Sequence, residues 1–114
     1  MKVNELMIGD WIEDGYKKSQ VTSITCDGIV ETTAAISNIE VVDPIPLTEE
    51  ILVKNELRIQ VVHNNRKWLW VTDNSWLSYS ERHNYWYYED IKITYVHQLQ
   101  HMLRMCGIEK EITL

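Results

Sequence analysis

The stretch WLWVTDNSWLSYSERHNYWYYEDIKITY, residues Trp68 to Tyr95, holds nine of the chain's eleven aromatic side chains, and none of them is Phe. Every ring there carries an N–H or O–H that needs a partner wherever it is buried. The segment is therefore either an unusually polar core or a surface built for contact. From Leu57 onward the apolar period is two, with Leu57, Ile59, Val61 and His63 on one side and Arg58 and Gln60 on the other. Asn64-Asn65 and Asp73-Asn74 tolerate left-handed backbone and mark turns. They divide the region into strands Leu57 to His63, Lys67 to Thr72 and Ser75 to Ser80. A fourth strand starts near Tyr85 and runs to Tyr95 with a break at Glu89-Asp90, which makes an antiparallel meander.

Upstream of the meander, Asp14-Gly15 and Asp27-Gly28 are hairpin pairs, because Gly accepts positive φ without steric cost. They separate short strands at Trp11-Ile12, Val21 to Thr25 and Ile29-Val30, with another expected over Ile39 to Val42. Pro44 and Pro46 end that section, since proline cannot sit inside a central strand or helix. Thr48 then reads as an N-cap, Glu49 and Glu50 favour the positive end of a helix, and Leu47 with Leu52 suits a hydrophobic staple. That helix lasts about two turns, with Asn55 as a left-handed stop.

Downstream, Val96, Leu99, Met102, Leu103 and Cys106 fall on one face of a helix ended by Gly107, and His97, His101 and Arg104 fall opposite. A short strand over Glu111 to Leu114 closes the expected fold. The fold class is α+β, mainly antiparallel β with two short-to-medium helices. With no linker or repeat in 114 residues, residues 1–114 read as a single domain.

A formal net charge of -6 argues against a protein devoted to neutralising a phosphate backbone. Residues 1–56 hold four basic side chains against eleven acidic ones, whereas residues 57–114 hold seven basic and six acidic ones and all four histidines. A contact surface for an anionic or polar partner belongs in the second half. Cys26 and Cys106 form no metal-type spacing and read as free thiols of a reducing compartment. No run approaches the roughly 20 apolar residues of a membrane span, and acidic residues interrupt any signal-like start. The expectation is a cytoplasmic protein with no membrane partner.

His97 and His101 have the i, i+4 spacing that lets two imidazoles share a zinc ion. Position 98 is Gln, which supplies no general base, and the sequence nominates no further ligand. Both are therefore expected on the solvent side of the helix as weak metal candidates, with no cofactor implied. His63-Asn64 and His83-Asn84 fall at turns, and Glu89-Asp90 reads as a solvated turn because neighbours on a strand point to opposite faces. Phosphate loops, nucleophile elbows and Cys/His frameworks are missing from the sequence, so no enzyme is expected. A metal-dependent hydrolase or nuclease acting on nucleic acid through the histidines is the alternative.

Alternation puts Trp68 and Trp70 on one face of their strand with Leu69 and Val71 on the other, and sets Tyr85 and Tyr87 opposite Trp86 and Tyr88. Trp68, Trp70, Trp86 and Tyr88 are the expected anchors of a binding surface, with Arg66, Lys67, Arg82 and His83 as cationic or donor groups at the strand ends. The favoured partner is a protein or a second copy of the chain. Single-stranded nucleic acid or carbohydrate could also stack on such rings, at roughly 1–3 kcal/mol per base.

Four segments carry a resemblance: Glu5-Leu6-Met7-Ile8-Gly9-Asp10-Trp11-Ile12, Val21-Thr22-Ser23-Ile24 with Asp27-Gly28-Ile29, Pro44-Ile45-Pro46-Leu47-Thr48-Glu49-Glu50-Ile51-Leu52, and Tyr95-Val96-His97-Gln98-Leu99-Gln100. In this order they resemble a family of small uncharacterised proteins of phages, prophages and mobile elements of Bacteroides-type bacteria. That resemblance implies an accessory protein and carries no catalytic residues. After Gln100 the chain reads His-Met-Leu-Arg-Met-Cys-Gly where the family continues with Asn, aromatic residues and Thr-Gly-Glu-Glu. Gly-Asp-Trp-Ile and the Asp-Gly turns also look like an SH3-like small barrel, which implies binding without naming a ligand.

Overall fold

The computed structural model describes residues 5–15, 17–57, 59–63, 66–72, 75–80, 85–89 and 91–114, with backbone alone at 59–63, 66, 70–72 and 75. The chain groups into two compact units, residues 1–46 with 95–101 and residues 47–94 with 102–114. Its sheets are antiparallel throughout.

The first unit is built on β1 (Trp11–Asp14), β2 (Lys17–Ile24), β3 (Ile29–Thr32), β4 (Ile36–Asn38) and β5 (Val42–Pro44), in the order β4-β3-β2-β1-β5. Asp14 pairs with Lys17 in the first hairpin, and Gly15 supplies a positive φ of 61°. Gly28 has φ 90°, and a Cβ there would meet Ile39 Cγ2 at 3.1 Å, so the residue also admits the chain that packs over it. The strand expected over Ile39 to Val42 is instead a 3-10 turn, Ile39–Val41, between β4 and β5. Asn38 Oδ1 accepts the Glu40 N–H at 3.0 Å, offering the backbone a local alternative to the ladder. Pro44 is tolerated because β5 is an edge strand. Leu6, Ile12, Val21, Val30, Ile39 and Val42 form the buried cluster of this unit.

The second unit holds α1 (Glu49–Lys54) and the meander β6 (Ile59–His63), β7 (Arg66–Thr72), β8 (Ser75–Ser80), β9 (Tyr85–Tyr88) and β10 (Ile91–Ile93), in sequential order. The expected break at Glu89 is a hairpin, with Glu89 at φ 52° and Tyr88 paired to Ile91. Thr48 caps α1, its Oγ1 accepting from Ile51 N at 3.3 Å, and Leu47 and Leu52 are both buried. The left-handed stop lies one residue later than expected, at Glu56 with φ 66°. Glu56 N donates to Val53 O and Leu57 N to Leu52 O, a Schellman closure that places a side chain where glycine is usual.

Helix α2 (Val96–Met105) ends in the same way, with Gly107 N on Arg104 O and Ile108 N on Leu103 O. Its residues through His101 group with the first unit and those from Met102 with the second. The expected terminal strand does not form. Instead the buried Asn55 side chain donates to Thr113 O at 2.8 Å and accepts from Thr113 N at 2.7 Å, acting as a surrogate strand edge while Ile112 is buried.

Two substitutions test these closures. Glu56→Gly removes the left-handed strain and should raise the urea midpoint, by about 0.5–1 kcal/mol of stability. Asn55→Ala removes the bonds to Thr113 and should cost about 1–3 kcal/mol, read in the same melt.

Candidate functional site

In the second unit the cross-strand register sorts the aromatics into two faces. Leu69 pairs with Leu77, Lys67 with Tyr79, Tyr79 with Trp86 and Trp86 with Ile93. Directly opposed residues share a face, so these line the packed side, where Leu69, Leu77, Trp86 and Ile93 are at most 4% exposed. Trp68 pairs with Ser78, Ser78 with Tyr87, Tyr87 with Lys92 and Ser80 with Tyr85, which defines the other side. Trp76 is on this second side and is 42% exposed, whereas Trp68, Tyr85 and Tyr87 are half-buried.

Ring geometry agrees with the sorting. Trp68 and Trp76 lie 6.3 Å apart and tilted, and Tyr85 meets Tyr87 edge-on at 6.5 Å. Lys92 Nζ sits 3.3 Å from the centroid of the Tyr85 ring, while Tyr79 packs on Trp86 at 4.8 Å on the opposite face. Ser78 and Ser80 are buried among the larger side chains of the open face. The result is a sheet face of polar-ended rings spaced by small residues.

The expected anchors therefore separate. Trp68 is on the open face, and Trp70 has its backbone opposite Trp76 with its side chain outside the described residues. Trp86 is a correction, since at 4% exposure it belongs to the packing of the unit and offers no contact surface. Tyr88 shares that side, and the Cys106 thiol donates to its hydroxyl at 3.2 Å. The Arg66 side chain, and Arg82 and His83 entirely, lie outside the described residues. Trp76 was missed as an anchor because alternation orders residues within one strand and leaves the relative phase of neighbouring strands open.

Of the three α2 residues expected to meet solvent, Arg104 is exposed, whereas His97 and His101, in the first unit, are packed together with their neighbour Gln100. His97 is 5% exposed and Gln100 7%, and the His101 side chain is only a quarter exposed. The reason is the segment Met7 to Trp11. Gly9, with φ 93°, donates to Val21 O, while its carbonyl accepts from Gln20 Nε2 at 3.1 Å and Gln100 Nε2 at 2.9 Å. Gln100 Oε1 also accepts from Trp11 N at 2.8 Å, so one carboxamide closes on both sides of Asp10. The fully buried Asp10 carboxylate accepts from Met7 N at 2.8 Å and pairs with His101 Nε2 at 2.6 Å.

His97 stacks on Tyr95 at 5.9 Å and lies 5.6 Å from the His101 ring. Its Nδ1 is buried without a hydrogen bond. Gln98 Oε1 reaches back to Tyr95 N at 3.1 Å, the carboxamide half of a capping box. A cleft of about 340 Å³ is lined by Glu5, Pro44, Tyr95, His97, Gln98 and His101. Burial pushes the His97 pKa below its ordinary 6.5, with Asp10 opposing, His101 reinforcing and Glu5 opposing. Among the described residues, no three His, Cys, Asp or Glu side chains form a metal-holding group.

Compared with protein-family models, curated proteins and solved structures, the chain finds no match.

Because the folded-state pKa of His97 is lowered, the unfolded chain takes up its proton first as pH falls through 6.5. Stability should therefore decline on acidification below that value and be unaffected by this group above it. Urea melts with chelator present should show a shallower acid decline in His97→Phe than in the wild type; equal slopes would remove His97 as the cause.

Proposed function

We propose that the chain is a small non-enzymatic binding module whose contact surface is the open aromatic face of the meander. The observation that carries this reading is Trp76, which keeps 42% of its surface exposed beside Trp68 on a face that also presents Tyr85 and Tyr87. Rings of this kind, rigid and polar-ended, are the side chains most enriched at the centres of protein contacts. The one described lysine on the face, Lys92, already lies over Tyr85, which favours a protein surface over a polyanion. The simplest such partner is a second copy of the chain.

The four sequence segments support a place among accessory proteins of phages and mobile elements. Strand order β4-β3-β2-β1-β5, with a 3-10 turn between β4 and β5, supports an SH3-like barrel for the first unit. Two free thiols, one of them exposed, suit the reducing cytoplasm.

Sedimentation velocity over a range of concentrations tests the proposal. The wild type should associate and Trp76→Ser should remain monomeric with an unchanged far-UV spectrum. A wild type that stays monomeric at high concentration, and whose Trp fluorescence stays flat against single-stranded DNA and oligosaccharides, would overturn it.

A further inference from the structure

We propose that His97 and His101 chelate a divalent first-row transition ion within the first unit, independently of the aromatic face. The two rings project from successive turns of α2 with centroids 5.6 Å apart and planes at 75°. Imidazoles sharing a tetrahedral ion at about 2.0–2.1 Å from each nitrogen have centroids about 5 Å apart, close to the spacing of this pair.

The second observation is the carboxylate behind one ring. Asp10 is 0% exposed and holds His101 Nε2 at 2.6 Å. A buried carboxylate on the far nitrogen of an imidazole fixes the ring and its tautomer and raises its basicity, as it does behind metal-bound histidines. In the neutral ring, giving Nε2–H to Asp10 leaves the lone pair on Nδ1 of His101, for which no hydrogen bond is found among the described residues. The third observation is His97 itself, buried to 5% exposure with an Nδ1 that has no partner. An ion on that nitrogen satisfies a polar atom that would otherwise be an exception among buried groups.

The chemistry of the lining selects the ion. Glu5 contributes a carboxylate to the same cleft, which favours a cation over an anion. No third His, Cys, Asp or Glu among the described residues completes the ligand set, so water fills the remaining positions. A site of two imidazoles and water suits copper, nickel or zinc and discriminates against magnesium and calcium, which demand oxygen ligands.

Nickel chloride titrated calorimetrically into the full chain should bind one ion per chain. His97→Phe and His101→Asn should each weaken binding at least tenfold, and Asp10→Asn by about 10- to 100-fold through loss of the orienting carboxylate. A His63→Asn/His83→Asn double variant should bind like the wild type. Long-range nitrogen–proton spectra of the unaltered chain add a readout that needs no variant: zinc should shift His101 Nδ1 while Nε2 keeps its proton. A flat wild-type titration, binding that survives His97→Phe, binding lost with His63 and His83, or zinc-insensitive His101 nitrogens would each overturn the proposal.

Discussion

Pairing of Leu69 with Leu77 and of Tyr79 with Trp86 sets the phase of the meander, and the character of both its faces depends on it. A slip of one residue between β7 and β8 would exchange the two faces of a strand. Leu69 would then face outward and the indole of Trp68 would have to be packed, with its N–H in need of an acceptor. The observed register avoids this by sending the apolar side chains and Trp86 inward and leaving rings with polar ends where water reaches them. It also explains why Ser78 and Ser80 are buried, since small residues beside Trp68, Tyr85 and Tyr87 let large rings lie over the sheet.

Much of this organisation was legible in the sequence because it rests on local chemistry. Thr48 and its following glutamates announce α1, alternation announces the strands of the meander, the expected turn pairs Asn64-Asn65 and Asp73-Asn74 lying outside the described residues, and Gly107 ends α2. Two kinds of information were not legible. The first is phase between strands, which put Trp86 among the expected contact residues and left Trp76 out. The second is the partner of a polar helix face. His97 and His101 look solvent-facing by periodicity, but a loop some 90 positions earlier in the chain supplies their company, the pair Asp10 and His101 being separated by 91. Periodicity records which residues share a face and is silent on what that face meets.

Gly9-Asp10-Trp11 and Gln98-Leu99-Gln100 consequently belong together in explanation. Gln100 grips the backbone on both sides of Asp10, Gly9 provides the left-handed corner, and Asp10 turns its buried carboxylate on His101. A buried carboxylate is costly unless it is fully engaged, which ties the identity of the loop to that of the helix. Two segments that look unrelated on paper form one polar joint in the first unit.

The edges of the two sheets bear on how the protein behaves in a crowded solution. β4, β5 and β10 are three residues each; β5 ends in Pro44, and β10 carries Lys92 at its centre. Brevity, a missing donor and a charge are the devices by which natural sheets refuse a foreign strand. The fourth sheet-end strand, β6, is longer, at five residues. Open-ended fibre growth through added strands is thus discouraged on most sides, so the molecule can keep a ring-rich face in water without that face becoming the seed of a polymer.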